Sequence, residues 1–455
     1  MMRKSGNRFS ERIMLKQKSR AGLPIQQDSS RSRGEEHHGA RMTVRVSATE
    51  TPVAALDGTA SAIASARRAV LADRYPADSL TVEWRIFTEL ASIVPEWRKL
   101  AACALEPNVF YEPAFALAAA PAFAPDAGAL LVWSATNPRR LLGFFPARVE
   151  KRRYGFNLPL LIGLTHPYGP LGVPLVEREA AEPVIAAWLA RLAADAALPG
   201  LVLLPFLTEN GAFVAALEPI LRRAQIPFAD FDRHQRALLA PSGERLLYVE
   251  HALSHHRRKE LRRQWRRLSE AGALVLSAAA DAAAVAGAID HFLALEANGW
   301  KGRAGTAAAD DQNLQRFVRK AVNGLAAEGK VTIDRLFVDG RAIAAAIVLR
   351  SGRFAWFWKI AYDEAFARFS PGVMLSVALT EELVADAGVV RADSCATADH
   401  PMIDHIWRER LPLCSRLIGV RQQAPFSIVR RLEALRSAAI AGAKSVRDSM
   451  RQRGR

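Results

Sequence analysis

Between Val331 and Leu349 two apolar runs alternate with polar positions and are split by Asp339-Gly340. Asp-Gly between such runs is a strong hairpin signal. Strands are therefore predicted over Val331–Val338 and Arg341–Leu349. The aromatic and β-branched run from Arg353 to Asp363 predicts a third strand. Ser370-Pro371-Gly372 then opens an apolar periodic segment that ends near Ala387. Serine is a good N-cap, and proline at the first helical position loses no needed hydrogen bond. Such a turn is either an ordinary strand-to-helix connection or an anion site built on a helix N-terminus. A further strand over Val389–Cys395 and a final helix carrying His400 and His405 complete this stretch.

Upstream patterning is weaker but of the same kind. Thr81–Phe87 alternates as a strand, and a short helix is predicted over Pro95–Ala104. Pro107–Pro113 reads as a proline-bounded loop. Gly128–Trp133 and Leu141–Val149 read as strands joined through Asn137-Pro138. His166–Gly172 is a long loop with two prolines and two glycines. Helix, strand, helix and strand follow over Ala181–Ala197, Gly200–Phe206, Gly211–Gln225 and Ile226–Leu239. Asp281–Asn298 is a helix with Gly299 as its C-cap, and Trp300–Thr306 is a glycine-interrupted loop. Another helix spans Asp311–Glu328. Two mixed units in similar order, mostly antiparallel, predict a tandem α/β architecture with halves at 80–245 and 254–423.

Arg257–Leu268 predicts a helix of another character. Leu261, Trp265 and Leu268 form one narrow apolar stripe. Arg258, Arg262 and Arg266 run along one flank, and Lys259, Arg263 and Arg267 along the next. The helix is either a solvated face docked by its stripe or a basic rim for an anionic substrate or a donor's phosphates.

Composition narrows the class. The chain has 455 residues, so two or three domains are expected. Residues 1–75 hold 14 Lys/Arg against 7 Asp/Glu, and residues 426–455 hold 8 against 2, which leaves +3 of the +16 net charge for the middle. Both ends are expected to be basic tails, the first disordered and the second helical through Arg436, in loose contact with anionic membrane or nucleic acid. Met42 is a candidate start. Three scattered cysteines make neither a disulfide framework nor a zinc signature, which favours a reducing, cytoplasmic setting. No apolar run approaches the ~20 residues of a membrane span. No metal set, Walker loop or dinucleotide fingerprint is present.

The run from Ser254 to Arg410 resembles the GNAT-type acyltransferase domain of the CelD/BcsL group, named for a link to cellulose biosynthesis. The resemblance rests on Arg257–Arg263, Phe292–Glu296, Gly299–Gly302 with Gly305-Thr306, Asp339-Gly340, Lys359–Asp363, Ser370–Gly372, Ala392–Cys395 and Trp407–Arg410. The first half resembles the degenerate partner unit of that family, an arrangement shared with Fem-type aminoacyltransferases. The resemblance implies a tandem GNAT-like fold with mixed, mostly antiparallel sheets flanked by helices. It implies acetyl-CoA or another acyl-CoA as donor, wedged between splayed strands Phe354–Tyr362 and Val389–Cys395. Ile360, Ala361 and Tyr362 would pair with pantetheine, and Ser370, Pro371 and Gly372 would hold the pyrophosphate. The phosphate loop of the family is richer in glycine. Here Arg368-Phe-Ser-Pro-Gly372 has one, and Pro371 lacks a donor.

The implied chemistry is attack of an amine or hydroxyl on a thioester carbonyl. Candidates are Glu296 as general base, Asp393 as base or acceptor anchor, and Lys359 at phosphate or oxyanion. His400 and His405 are weaker proton shuttles, and Cys395 a weaker nucleophile. Trp300 and Lys301 would line the acceptor mouth. The expected function is N- or O-acyl transfer to a small molecule or a sugar or envelope-glycan precursor. Two alternatives stand beside it: a Fem-like transferase using aminoacyl-tRNA, disfavoured by the near-neutral middle, and a non-catalytic scaffold of a polysaccharide-synthesis complex.

Overall fold

The computed structural model describes residues 79–421 and 423–453; the expected N-terminal tail lies outside the described residues. In chain order the first half contributes β1 (Leu80–Ile86), α1 (Val94–Cys103), α2 (Pro113–Phe123), β2 (Gly128–Ser134), β3 (Leu141–Glu150), β4 (Leu160–Gly163) and β5 (Leu175–Val176). It continues with α3 (Ala181–Ala194), β6 (Leu201–Thr208), α4 (Ala212–Arg223), β7 (Phe228–Leu239) and α5 (Tyr248–Ala252). The second half contributes α6 (His255–Ser269), β8 (Leu274–Ala279), α7 (Ala282–Asn298), α8 (Trp300–Arg303), α9 (Gln312–Ala326), β9 (Val331–Val338), β10 (Arg341–Ser351) and β11 (Phe354–Tyr362). It ends with α10 (Pro371–Ala385), β12 (Arg391–Asp393), β13 (Glu409–Gly419) and α11 (Gln423–Arg453).

All strands join one mixed sheet in the order β1-β2-β3-β4-β6-β13-β7-β12-β11-β10-β9-β8, with β5 paired to β3 off this path. Most pairs are antiparallel; β4 with β6 and β11 with β12 are parallel. The halves interlock. β13, near the end of the chain, inserts between β6 and β7 of the first half, and β7 in turn pairs with β12 of the second.

Local chemistry accounts for the clearest elements. Asp339 and Gly340 both take positive φ, as the two-residue hairpin between β9 and β10 requires. β10 is buried along most of its length because helices cover both faces, so it reads as a continuous apolar run. The Asp311 side chain caps α9 by accepting from the Asn313 and Leu314 N–H groups at 2.9 and 3.2 Å.

Four expectations change. Pro107–Pro113 leads directly into α2, whose sequence PAFALAAAPAF is apolar on nearly every side and so carries no periodic signal. Gly299 is extended and does not form a left-handed cap, and the chain re-enters a helix at Trp300. His400 and His405 sit in a turn and a single 3-10 turn, not on a helix. The C-terminal segment expected as a tail is the long helix α11. Its first turns dock: Phe426 and Val429 join a small apolar cluster with Leu160, Leu203 and Leu417. Glu433 is fully buried and accepts from Arg153 Nε at 2.7 Å and from Tyr154 Oη and Arg436 Nε at 2.5 Å.

Replacing Glu433 with alanine leaves two guanidiniums and a phenol facing each other under α11. We expect a loss of about 2–4 kcal/mol in urea unfolding. Glu433→Gln recovers part of it by keeping acceptors for Arg153 and Tyr154.

Candidate active site

β11 and β12 run parallel for three residues only, Phe354–Trp356 against Arg391–Asp393. Beyond Trp356 the strands part, while β11 stays paired to β10 on its other side as far as Tyr362. Residues 358–362 therefore present a sheet edge without a β12 partner. Ile360 and Tyr362, with Val373 and Val377 of α10 and Ala396 and Met402 beyond β12, pack on the apolar core but stay partly exposed. This is an apolar-lined gap with strand hydrogen-bonding groups along one wall.

A β-bulge lies at the parting. Phe357 pairs with Val348 and Lys359 with Ile347, so Trp358 is an extra residue. Strict alternation would send Trp358 and Lys359 to opposite faces. The bulge sends both toward the core shared with the first half, where Trp358 Nε1 donates to Tyr168 O at 2.7 Å. Lys359 Nζ lies 3.8 Å above the Tyr168 ring and 5.5 Å from the Trp358 ring.

Glu296 closes the cluster from α7. It is buried, and Lys301 Nζ donates to its Oε1 at 2.5 Å while the Ala308 N–H donates to its Oε2 at 2.9 Å. Lys359 Nζ is 4.0 Å from the same Oε1, beyond hydrogen-bond reach. These contacts set the protonation states. Burial by itself would raise the Glu296 carboxyl, but Lys301, Lys359 and the Ala308 N–H overcome it and hold it down to about 2. Burial and then the neighbouring Lys301 cation depress the Lys359 amine, Glu296 opposes them, and the result is about 7.

The candidate roles shift accordingly. Glu296 is a poor base, because both its oxygens are engaged and it is firmly ionised. Asp393 is not a free base or acceptor anchor either. It forms a buried ion pair with Arg236 of β7, and its Oδ1 accepts from the Cys395 N–H at 3.0 Å. Cys395 has a positive φ, and burial, then Asp393, push its thiol well up, away from the thiolate a nucleophile needs. His400 accepts from the Met402 N–H at 3.3 Å through Nδ1, which occupies it locally. Lys301 is held on Glu296; the Trp300 side chain lies outside the described residues.

Ser370 departs from its expected capping role. It is left-handed and its side chain caps nothing; its carbonyl instead accepts from the Val373 and Met374 N–H groups at 3.0 and 3.1 Å. Gly372 faces β11 closely, since a Cβ there would stand 3.3 Å from Tyr362 Cδ1. Ser370, Pro371 and Gly372 thus start α10 beside Ile360 and Tyr362, while Ala361 faces the other core.

Sequence reading missed Tyr168 and Arg236, both of the first half. Their partners are distant in the chain, and neither lies in a recognisable motif. The clue available was His166–Gly172 itself, a loop with more proline and glycine than a plain connection needs.

Residues 255–400 match the family described as acetyltransferase (GNAT) domain. That part of the chain is similar to a GNAT-type acetyltransferase domain. FemX is similar over 74% of this chain and 98% of its own, at 9% identity and a TM-score of 0.50. A conserved protein of unknown function from Bacteroides thetaiotaomicron covers 74% of this chain and 99% of its own, at 12% identity and a TM-score of 0.44. A tandem GNAT protein from the clavulanic acid biosynthesis pathway covers 76% and 99%, at 13% identity and a TM-score of 0.38. No curated protein matches the chain. The likeness to FemX is one of fold, and the tandem GNAT-like architecture expected from the sequence holds.

The charge cluster can be read directly. In protein labelled with 13C-lysine, one Cε resonance should titrate with a midpoint near 7 and be missing in Lys359→Met. Glu296→Gln removes the carboxylate that favours the ammonium, so the midpoint should move lower. The same change should cost about 3 kcal/mol of stability, because the buried carboxylate that both ammonium groups face loses its charge.

Proposed function

We propose that the protein is an acyl-coenzyme A-dependent N- or O-acyltransferase whose general base is Lys359. One observation carries this reading: a largely buried amine, its side chain 11% exposed, that donates no hydrogen bond among the described residues and lies 4.0 Å from the nearest carboxylate, at the point where β11 and β12 part. A lysine so placed is neutral in part at neutral pH and can take a proton.

The donor's pantetheine arm fits the gap between β11 and residues 395–402. Those backbone groups of Ile360, Ala361 and Tyr362 that turn away from β10 supply its hydrogen bonds, and the half-exposed side chains supply its apolar walls. The thioester carbonyl then lies near Lys359. The acceptor's amine or hydroxyl enters between Lys359 and α8, beside Lys301. Lys359 Nζ takes the proton as the nucleophile attacks the carbonyl carbon. The tetrahedral intermediate collapses with loss of the thiolate, to which the ammonium of Lys359 can return the proton. Glu296 stays ionised throughout; it orients Lys301 and keeps Lys359 from losing its proton affinity altogether. A sugar or envelope-glycan precursor as acceptor rests on the sequence resemblance alone. A Fem-like use of aminoacyl-tRNA is the second reading, supported by the fold shared with FemX and by the cations of α6.

Calorimetry of acetyl-CoA on the full chain tests the donor. Micromolar binding is worth about −8 kcal/mol. Gly372→Asp should abolish it, since a carboxylate at the start of α10 repels phosphate, while Gly372→Ala separates crowding against Tyr362 from charge. Absence of binding by acetyl-CoA and by longer acyl thioesters would sink the coenzyme A reading. In turnover, kcat/KM should rise with pH through about 7 to a plateau, because the base works when deprotonated. Lys359→Met should lower kcat by roughly 10²–10⁴.

A further inference from the structure

We infer that α6 is the receptor for the nucleotide phosphates of the acyl donor, standing in for the backbone N–H groups that the α10 start lacks. The inference rests on the acyltransferase reading and concerns the far end of the same donor.

The deficit comes first. A helix N-terminus binds phosphate through its unpaired first-turn N–H groups. At α10, Pro371 has no N–H, and Val373 and Met374 already donate to Ser370 O. Gly372 is left as the one donor of that turn. The pyrophosphate and 3′-phosphate of a coenzyme A ester together carry about four negative charges near neutral pH. One N–H cannot balance them.

The surplus lies alongside. α6 packs against the 3-10 turn Glu364–Phe369 that leads into α10. Leu268 of α6 and Phe369 of the turn share one buried cluster, and Leu261 and Phe366 pack on it. From Arg257 to Arg267 the helix carries seven Lys/Arg against one acid, Glu260. Arg263 pairs with Glu260 at 2.7 Å, and Arg258 reaches Glu250 only at 3.9 Å. Arg257, Lys259, Arg262, Arg266 and Arg267 are exposed and form no salt bridge among the described residues. Like charges stand four apart at 258/262, 262/266, 259/263 and 263/267, each pair unfavourable by roughly 0.2–0.5 kcal/mol. A polyanion on this surface relieves that repulsion, and guanidinium forks suit phosphate oxygens.

The test compares two donors and one fragment on the full chain. Acetyl-CoA and acetyl-pantetheine share the thioester; only the first has the nucleotide. In the parent, KM for acetyl-CoA should be the lower by tenfold or more and should rise with salt. In a variant with Arg257, Lys259, Arg262 and Arg266 all changed to Gln, the ratio of the two KM values should collapse toward one and the salt dependence should weaken. Separately, adenosine 3′,5′-bisphosphate should bind the parent in calorimetry, and at least tenfold more weakly the variant. Circular dichroism confirms that the variant is folded; if it is not, Arg262→Gln/Arg266→Gln and Lys259→Gln/Arg267→Gln divide the change between the flanks. A KM ratio that stays at its parent value, or a bisphosphate that binds parent and variant alike, overturns the inference. So does salt-sensitive tRNA retention without bisphosphate binding, which would assign α6 to nucleic acid. Failure of both thioesters to turn over sinks the acyltransferase reading instead, and bisphosphate binding still decides the role of α6.

Discussion

The pairing of Arg236 with Asp393 governs the arrangement of the site. Arg236 lies on β7 of the first half and Asp393 on β12 of the second, and both are buried. β12 has only three residues, too few to hold its place by ladder hydrogen bonds alone. The ion pair ties it to β7, so it stays put after β11 leaves it at Trp356. Arg236 also donates through Nη1 to Pro170 O at 3.0 Å, anchoring the loop that brings Tyr168 under Lys359. One guanidinium thus fixes the far wall of the strand gap and the floor beneath the amine. Burying such a pair has a desolvation cost, and its worth lies in the geometry it imposes.

Much of the second half is readable because its local and global signals agree. Asp339-Gly340 can only turn sharply, and β9 and β10 on either side alternate or run apolar as their burial demands. α2 is unreadable for the opposite reason. It is packed among other elements on almost all sides, so no polar face marks its period. β13 carries arginine, proline and glutamate at Glu409–Pro412, which disguises a strand that fills the middle of the sheet. The charged position in β12 signalled that Asp393 needed a partner, but that partner is 157 residues upstream. Sequence spacing offers no means of pairing them.

The site shows the same division. Lys359 was legible as a cation closing an aromatic strand; its surroundings were not. The bulge at Trp358 is a feature of the ladder with β10, and no residue type announces it. Without it Lys359 would face the α10 side, away from Glu296 and Tyr168. Glu296 was legible only as a carboxylate at a helix end, and burial by itself would raise its pKa. Two lysines and one backbone N–H reverse the expected direction. The pair divides its work by environment. The carboxylate keeps its charge because cations surround it. The amine gives up part of its charge because burial and the neighbouring Lys301 cation outweigh the pull of Glu296.

In the first half the parallel pair is as brief, with β4 and β6 joined only over Leu161–Ile162 and Val202–Leu203. That half supplies much of the frame. Besides Tyr168 and Arg236, it gives Glu112, which accepts from Lys330 at 2.8 Å and from Ser351 Oγ at 2.6 Å, and Glu106, which pairs with Arg391 at 3.3 Å. These are buried carboxylates meeting the bases of β9 and β10 and the start of β12. Their desolvation is costly, and a unit serving only as a spacer could meet the second half through apolar contacts. Tyr168 shows what the arrangement adds. A lysine with no hydrogen-bond acceptor nearby needs a surface that stabilises its cation weakly, and the face of an aromatic ring does this. A carboxylate in its place would favour the ammonium and raise the lysine pKa toward its ordinary value. The frame thus meets the second half at both ends of its strands: Tyr168 and Arg236 reach the parting of β11 and β12, while Glu112 and Glu106 brace the opposite end.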